Sequence, residues 1–263
     1  MHMPIFQRYV GIDYSGAASA STPLRGLRLF MAEGEQSPQE ILPASNDAAS
    51  WSRERLALWL DALLSENVPA IVGIDHGFSF PLAYFDHYGL AYVWDDFLDD
   101  FCDHWPLDHA GVTVEAIRHS KTGKGVLRSG SARWRRMTEI RCRAKSVFHF
   151  DVPGSVAKST HTGLPWLRYL RCRHVNAGRL QCWPMDGWQV PTGSSVMLEA
   201  YPSLYRQDFP APHLGQDQQD AYAIAAWLQR EDGMFRLHDA LEGGLLTYDE
   251  KRLGVIEGWI LGC

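Results

Sequence analysis

No run in this 263-residue chain approaches the roughly eighteen consecutive apolar residues that a membrane helix needs, so no membrane partner is expected. Met1 to Ile5 is too short and too polar for a secretory signal, which points to a cytoplasmic protein. Cysteine is scarce and scattered: Cys102, Cys142, Cys172, Cys182 and Cys263 include no C-x-x-C pair. That spacing supports neither a zinc knuckle nor a disulfide framework, and reduced, mostly buried thiols are expected. Internal repeats, low-complexity tracts and linker-like stretches are also missing. One domain spanning residues 1–263 is therefore the expectation, with 46% hydrophobic and 21% charged residues in the ordinary range for a folded chain.

Acids are nearly absent from one region. Between Arg118 and Arg179, fifteen Lys and Arg face only Glu139 and Asp151, a net charge of +13, while the other 201 residues carry −19. Such segregation implies either an anionic partner or an internal match with the acidic part of the chain. The densest acidic run, WDDFLDDFCD at 94–103, places Phe97, Leu98 and Phe101 at helical spacing, as in an amphipathic helix with a solvated acidic face. Within the basic region Arg128, Arg133, Arg135, Arg136 and Lys145, together with Trp134, suggest a surface that tracks the phosphates of a nucleic acid. A helix with a solvated or acid-paired basic face is the competing explanation. The preceding KTGKG at 121–125 lacks the spacing of a phosphate-binding P-loop.

Three short β-rich runs, at 8–13, 26–32 and 38–43, are separated by Gly, Ser and Pro and suggest an antiparallel meander. Ser50 or Ser52 is placed to cap a helix whose stripe includes Trp51, Leu56, Leu60, Leu63 and Leu64. The AIVGID run at 70–75 then has the continuous apolar character of a central strand. Residues from about 82 to 178 look largely helical and read as an insertion. Strand character returns at 179–183 and 196–201, a helix follows at 217–230, and the last thirty residues have room for two short helices. The fold class expected is α/β, a mixed sheet of three antiparallel strands followed by parallel strands.

The tetrapeptide Val-Gly-Ile-Asp closes two of these strands, ending at Asp13 and at Asp75. If the strands are parallel neighbours, both carboxylates emerge at one sheet edge, where open α/β sheets bind ligands. Two carboxylates so close repel, and a divalent cation, Mg²⁺ or Mn²⁺, is the usual compensation. Asp217 and Asp220, three residues apart near a helix start, lie on one face. Glu199, at the end of a strand, is a further candidate. The catalytic set expected is thus Asp13, Asp75, Glu199, Asp217 and Asp220, with Asp13, Asp75 and Asp220 as metal ligands. His76 has two readings, a proton shuttle or a neutral imidazole bonded to backbone. Ser15 has no base nearby in sequence to make it a nucleophile.

The blocks GIDYSGA (11–17), GIDHGFSFP (73–81), RWRRMTE (133–139), GLPWLRYL (163–170), EAYPSLY (199–205), QDAYAIAAWL (219–228) and EGWILG (257–262) span nearly the whole chain. In that order they resemble the DUF429 type of predicted RNase-H-like nucleases. The resemblance implies an RNase-H-like fold, metal-dependent phosphodiester hydrolysis, and acidic site positions at Asp13, Asp75, Glu199 and Asp220. Two other classes compete with it. GIDYSGAAS also fits the first phosphate loop of an actin-like ATP-dependent phosphotransferase, although no second such loop follows. A non-catalytic module that binds nucleic acid or protein would need the basic region alone.

Overall fold

The computed structural model describes residues 4–44 and 50–263. Met1 to Met3, part of the segment expected not to be a signal, lie outside them. Six strands form one mixed sheet: β1 (Arg8–Asp13), β2 (Arg28–Glu33), β3 (Gln39–Glu40), β4 (Ala70–Ile74), β5 (Leu180–Cys182) and β6 (Ser195–Glu199). Their spatial order is β3-β2-β1-β4-β6-β5, antiparallel from β3 to β1 and parallel from β1 to β5. The protein is therefore α/β with the antiparallel-then-parallel sheet that the strand signals imply. Between β3 and β4 lies α1 (Arg53–Ser65), capped by Ser52, whose hydroxyl accepts a hydrogen bond from the Arg55 amide.

The stretch from 82 to 178 carries α2 (Leu82–Tyr88), α3 (Trp94–His104), α4 (Val114–Arg118), α5 (Met137–Arg141) and α6 (Ala157–His174), joined by turns and loops. After β6 come α7 (Gln216–Gly233), α8 (Leu237–Leu241) and α9 (Tyr248–Glu257). Among the described residues no helix is long and apolar enough to cross a membrane.

Side chains alternate across the sheet with period two. Val10, Ile12, Val72, Ile74 and Met197 share one face and are buried with leucines of α1 and α6. Tyr9, Ile71, Val196 and Leu198 occupy the other and meet Ala223, Ile224 and Leu228 of α7. The face of α7 also carries Gly11 and Gly73, which are register partners on β1 and β4. There is no room for a side chain at either. A Cβ at Gly11 would lie 2.1 Å from the Ala221 carbonyl oxygen, and one at Gly73 would lie 2.6 Å from Ile224 Cγ2. The repeated Val-Gly-Ile-Asp thus serves packing as well as chemistry, because its glycine lets α7 lie directly on the backbone of both central strands.

Two expectations are corrected by the structure. Cys142 and Cys263 are joined as a disulfide with Cα atoms 5.6 Å apart, rather than remaining free thiols. The reason is the path of the tail, in which the Leu261 amide bonds the Glu199 carbonyl and Arg141 Nε bonds the Cys263 carbonyl. With the two cysteines 121 positions apart in the sequence, local spacing carries no trace of that pairing. The acidic face of α3 is also not simply solvated. Asp95, Asp99 and Asp100 pair with Arg171, Arg168 and Arg128, so much of the charge segregation is matched internally.

Replacing Gly11 with Ala is expected to lower stability in urea by about 1–3 kcal/mol or more, the usual cost of overpacking a filled core. Gly233→Ala, at the end of the same helix and with nothing within 4 Å of its Cβ position, serves as the control. It is expected to be neutral or stabilising by up to about 1 kcal/mol. Equal losses in the two variants would refute the close-approach argument.

Candidate carboxylate site

The parity that sets Gly11 and Gly73 beneath α7 also sets the next residue on each face two positions on, at Asp13 and Asp75. Asp13 ends β1, and Asp75 follows β4, its amide bonded to the Ile12 carbonyl at 3.0 Å. The two strands are parallel neighbours, so both carboxyls leave the sheet at the same edge. Asp217 and Asp220 sit in the first turns of α7, at the end that overlies this edge. Asp217 is exposed, with Oδ2 packed toward Gly26, and Asp220 is buried. Four aspartates therefore act on one another: burial, then the charges of Asp75, Asp217 and Asp220, pushes the Asp13 carboxyl up to about 9. Burial, followed by the charges of Asp220 and Glu199, pushes Asp75 up to about 8.

What distinguishes Asp13 and Asp75 from Asp220 is the lack of a partner. Among the described residues no hydrogen bond or ion pair reaches either carboxyl. Asp220, by contrast, is held by Arg206 Nη1 through both oxygens, at 2.8 and 3.1 Å. Arg206 also opposes the rise at Asp13 and Asp75 through its charge. It follows EAYPSLY directly in sequence, yet neither periodicity nor spacing marks it. Its backbone is fixed by Tyr205, which stacks on Trp227 of α7 with ring centroids 4.6 Å apart and 9° between planes. Gln219 of α7 then receives the Ala211 amide and donates to the Phe209 carbonyl, tying the rest of the loop to the helix.

Glu199 does not join the four aspartates. It pairs in register with Ile74, whose side chain points away from α7, so the period of the strand turns Glu199 to the opposite face. There its two oxygens accept from Arg136 Nη1 and Nη2 at 2.6 Å each. Arg136 is fully buried and also donates Nε to Glu139 at 2.9 Å and Nη1 to the Glu257 carbonyl. Glu257 accepts in turn from the amides of Leu82 and Met137. This closed network ties β6, α5 and α9 together: Arg136 has no surface to offer a phosphate, and Glu199, though it shares a small cavity with Asp75, has both oxygens taken by Arg136.

The other expected phosphate ligands separate similarly. Arg128 grips Asp100 through Nε and Nη2 at 2.8 Å each, and Arg135 donates Nη2 to the carbonyls of Glu139 and Ala144. Arg133 is exposed without an ion pair to a described residue, and Lys145 lines the small cavity that has Asp75 and Glu199 in its wall. Of the fifteen basic residues from Arg118 to Arg179, eight are ion-paired. His76 is buried with Nδ1 2.9 Å from the Gly77 carbonyl, and burial pulls its pKa down to about 4, consistent with a neutral structural imidazole. On α1, Arg53 is buried with no acid paired to it among the described residues and donates to the carbonyls of Ser15, Ala17 and Ala18, clamping the loop that leaves Asp13.

The donor set suits a hard divalent cation. The oxygens of Asp13 and Asp75 are carboxylate oxygens, and Mg²⁺ is commonly held by one or two carboxylates with water completing its shell. Among the described residues no group of three or more His, Cys, Asp and Glu stands arranged to hold an ion. No family model, curated protein or solved structure matches the chain, and the DUF429 resemblance rests on the quoted blocks alone.

Because Asp13 and Asp75 hold protons in the metal-free protein far above the usual carboxylate range, folding binds protons that the unfolded chain releases. Their contribution to stability is full below roughly pH 4 and is lost as pH rises toward the folded values near 8 and 9. Asp13→Asn mimics the protonated carboxyl. The metal-free variant should be more stable than wild type at pH 8 by at least about 1.4 kcal/mol, the worth of one pKa unit. Denaturation from pH 4 to 8 checks this, and a difference independent of pH would contradict it. Arg136→Gln, in contrast, should cost about 3–5 kcal/mol by leaving buried carboxylates unpaired. Retained stability with weakened phosphate binding would return Arg136 to the surface role it lacks here.

Proposed function

We propose that the protein is a metal-dependent phosphodiester hydrolase with an RNase-H-like fold, in which Asp13 and Asp75 hold Mg²⁺ or Mn²⁺ and Asp220 and Asp217 assist from α7. The observation that carries the reading is the pair of partnerless carboxyls at the shared edge of two parallel strands. A half-buried carboxyl crowded by like charges, with no hydrogen bond or ion pair from the described residues, is costly to ionise, and proteins retain such groups chiefly where a ligand or a proton completes them. The strand order supports the same reading, since three antiparallel strands lead into parallel strands at the two acids. The helix bearing two further aspartates lies over that edge.

A bound divalent cation would supply charge stabilisation at the phosphoryl group and a more acidic water. The chain's own residues supply the rest. Asp13 and Asp75 fix the position of positive charge against a rigid sheet, and their loss of protons on binding provides the anionic ligands. Lys145, at the cavity beside Asp75, places a cation near the phosphate. Arg133 and Arg143, exposed and without ion pairs to described residues, extend basic surface and support a nucleic-acid substrate.

Cleavage of single-stranded, duplex and hybrid nucleic acid, and of a chromogenic phosphodiester, should require Mn²⁺ or Mg²⁺. Asp75→Asn should lower the rate at least about a hundredfold, beyond the loss typical of an outer-shell change at a metal site, with the circular dichroism unchanged. Hydrolysis of the chromogenic diester without cleavage of any polymer would keep the chemistry and discard the nucleic-acid substrate. Wild-type rates in the folded variant would refute the site.

A further inference from the structure

The Cys142–Cys263 disulfide ties together two segments that line one small cavity. Ala144 and Lys145 follow Cys142 closely and line it, as does Ile260, which closely precedes Cys263. Asp75 is also in the wall, and the cavity holds about 20 Å³, room for one water and too little for a phosphate group. The two segments are not equally secure. Trp259, Ile260 and Leu261 are buried, and the amides of Ile260 and Leu261 bond Thr138 Oγ1 and the Glu199 carbonyl, so the tail has anchors besides the disulfide. The segment after Cys142 has fewer. Arg143 is exposed and sits at φ 55°, a left-handed conformation that is costly for any residue but glycine. Beyond it, Ala144 is held through its carbonyl by Arg135, and exposed Lys145 through its ammonium by the Pro153 carbonyl. Both cysteines are part-exposed, within reach of a thiol. Arg141 and Arg143 flank Cys142, a cationic setting that favours its thiolate as a leaving group.

We propose that the Cys142–Cys263 disulfide is a redox latch on the cavity beside Asp75: its reduction releases residues 142–145 from the docked tail and opens the cavity to solutes. A dithiol supplies two electrons and two protons. The S–S bond breaks, Cys142 and Cys263 become thiols, and the dithiol closes to its own disulfide. The left-handed backbone at Arg143 favours opening once the bond is cut, because such strain persists only while its surroundings impose it. The latch governs access to Asp75 whatever that carboxyl binds, and so stands apart from the hydrolase reading.

The test compares oxidised wild type, dithiothreitol-reduced wild type and Cys263→Ser, each shown folded by circular dichroism. Reduced glutathione is expected to cleave the disulfide without denaturant. Carbodiimide with glycine ethyl ester, mapped by mass spectrometry, should label Asp75 at least about threefold faster in the reduced protein and in Cys263→Ser than in the oxidised form. Exposed Asp217 serves as the unchanged reference. Amide exchange at Arg143, Ala144 and Lys145 should rise about tenfold on reduction, the scale of one relieved left-handed residue, while Ile260 and Leu261 stay protected. A disulfide that glutathione cleaves only in denaturant, or equal labelling of Asp75 in the oxidised and reduced proteins, would make the bond a plain structural cross-link and overturn the latch. Faster labelling on reduction, with no metal-dependent hydrolysis in either state, would uphold the latch and count against the hydrolase.

Discussion

Everything at the sheet edge depends on how closely α7 lies on β1 and β4. A helix ordinarily rests on the side chains of a sheet, but Gly11 and Gly73 remove those side chains from two adjacent strands at one level. The carbonyl of Ala221 and the side chain of Ile224 fill the gap. From that contact the positions of four carboxyls follow. Two residues along each strand, the alternation brings Asp13 and Asp75 to the same face; one turn toward the start of the helix, Asp220 and Asp217 come over them. The cost of gathering like charges is met by the packing of Ala223, Ile224 and Leu228 into the core beneath.

The fold handles buried charge in two opposite ways within a few residues. On the face away from α7, Glu199, Arg136, Glu139 and Glu257 form a network whose acceptors meet amides or guanidinium donors, an arrangement that staples β6 to α5 and α9. On the α7 face, Asp13 and Asp75 have no donor among the described residues, and desolvation with repulsion from neighbouring acids pushes both carboxyls up. A structural role is sufficient for the first. The second gains nothing for the metal-free fold, and for that reason it, rather than the larger count of acids around Arg136, carries the functional reading.

Much of this was legible in the sequence, and the limits have physical causes. Strand ends at Asp13 and Asp75, the Ser52 cap, the helical stretch from 82 to 178 and the late aspartate-bearing helix all follow from local periodicity and capping. Those signals depend on neighbours along the chain. The side on which Glu199 projects depends on its register with Ile74, which the strand sequence alone leaves open. Arg136 and Arg133 sit three residues apart in one basic run, and only tertiary contacts make the first a core residue and the second a surface one. Pairing of α3 acids with distant arginines, the joining of Cys142 to Cys263, and the grip of Arg206 on Asp220 likewise depend on chain segments far apart or on a loop without periodicity.

The central claim is that Asp13 and Asp75 exchange protons for a divalent cation. Calorimetric titration of Mn²⁺ into the metal-free protein at pH 7, repeated in two buffers of different ionisation enthalpy, counts the protons set free. Binding is predicted to release about one proton or more per ion, because the ligands must ionise before they coordinate. Binding with no proton release would mean that the pair is already ionised or is not the site, and would contradict the account.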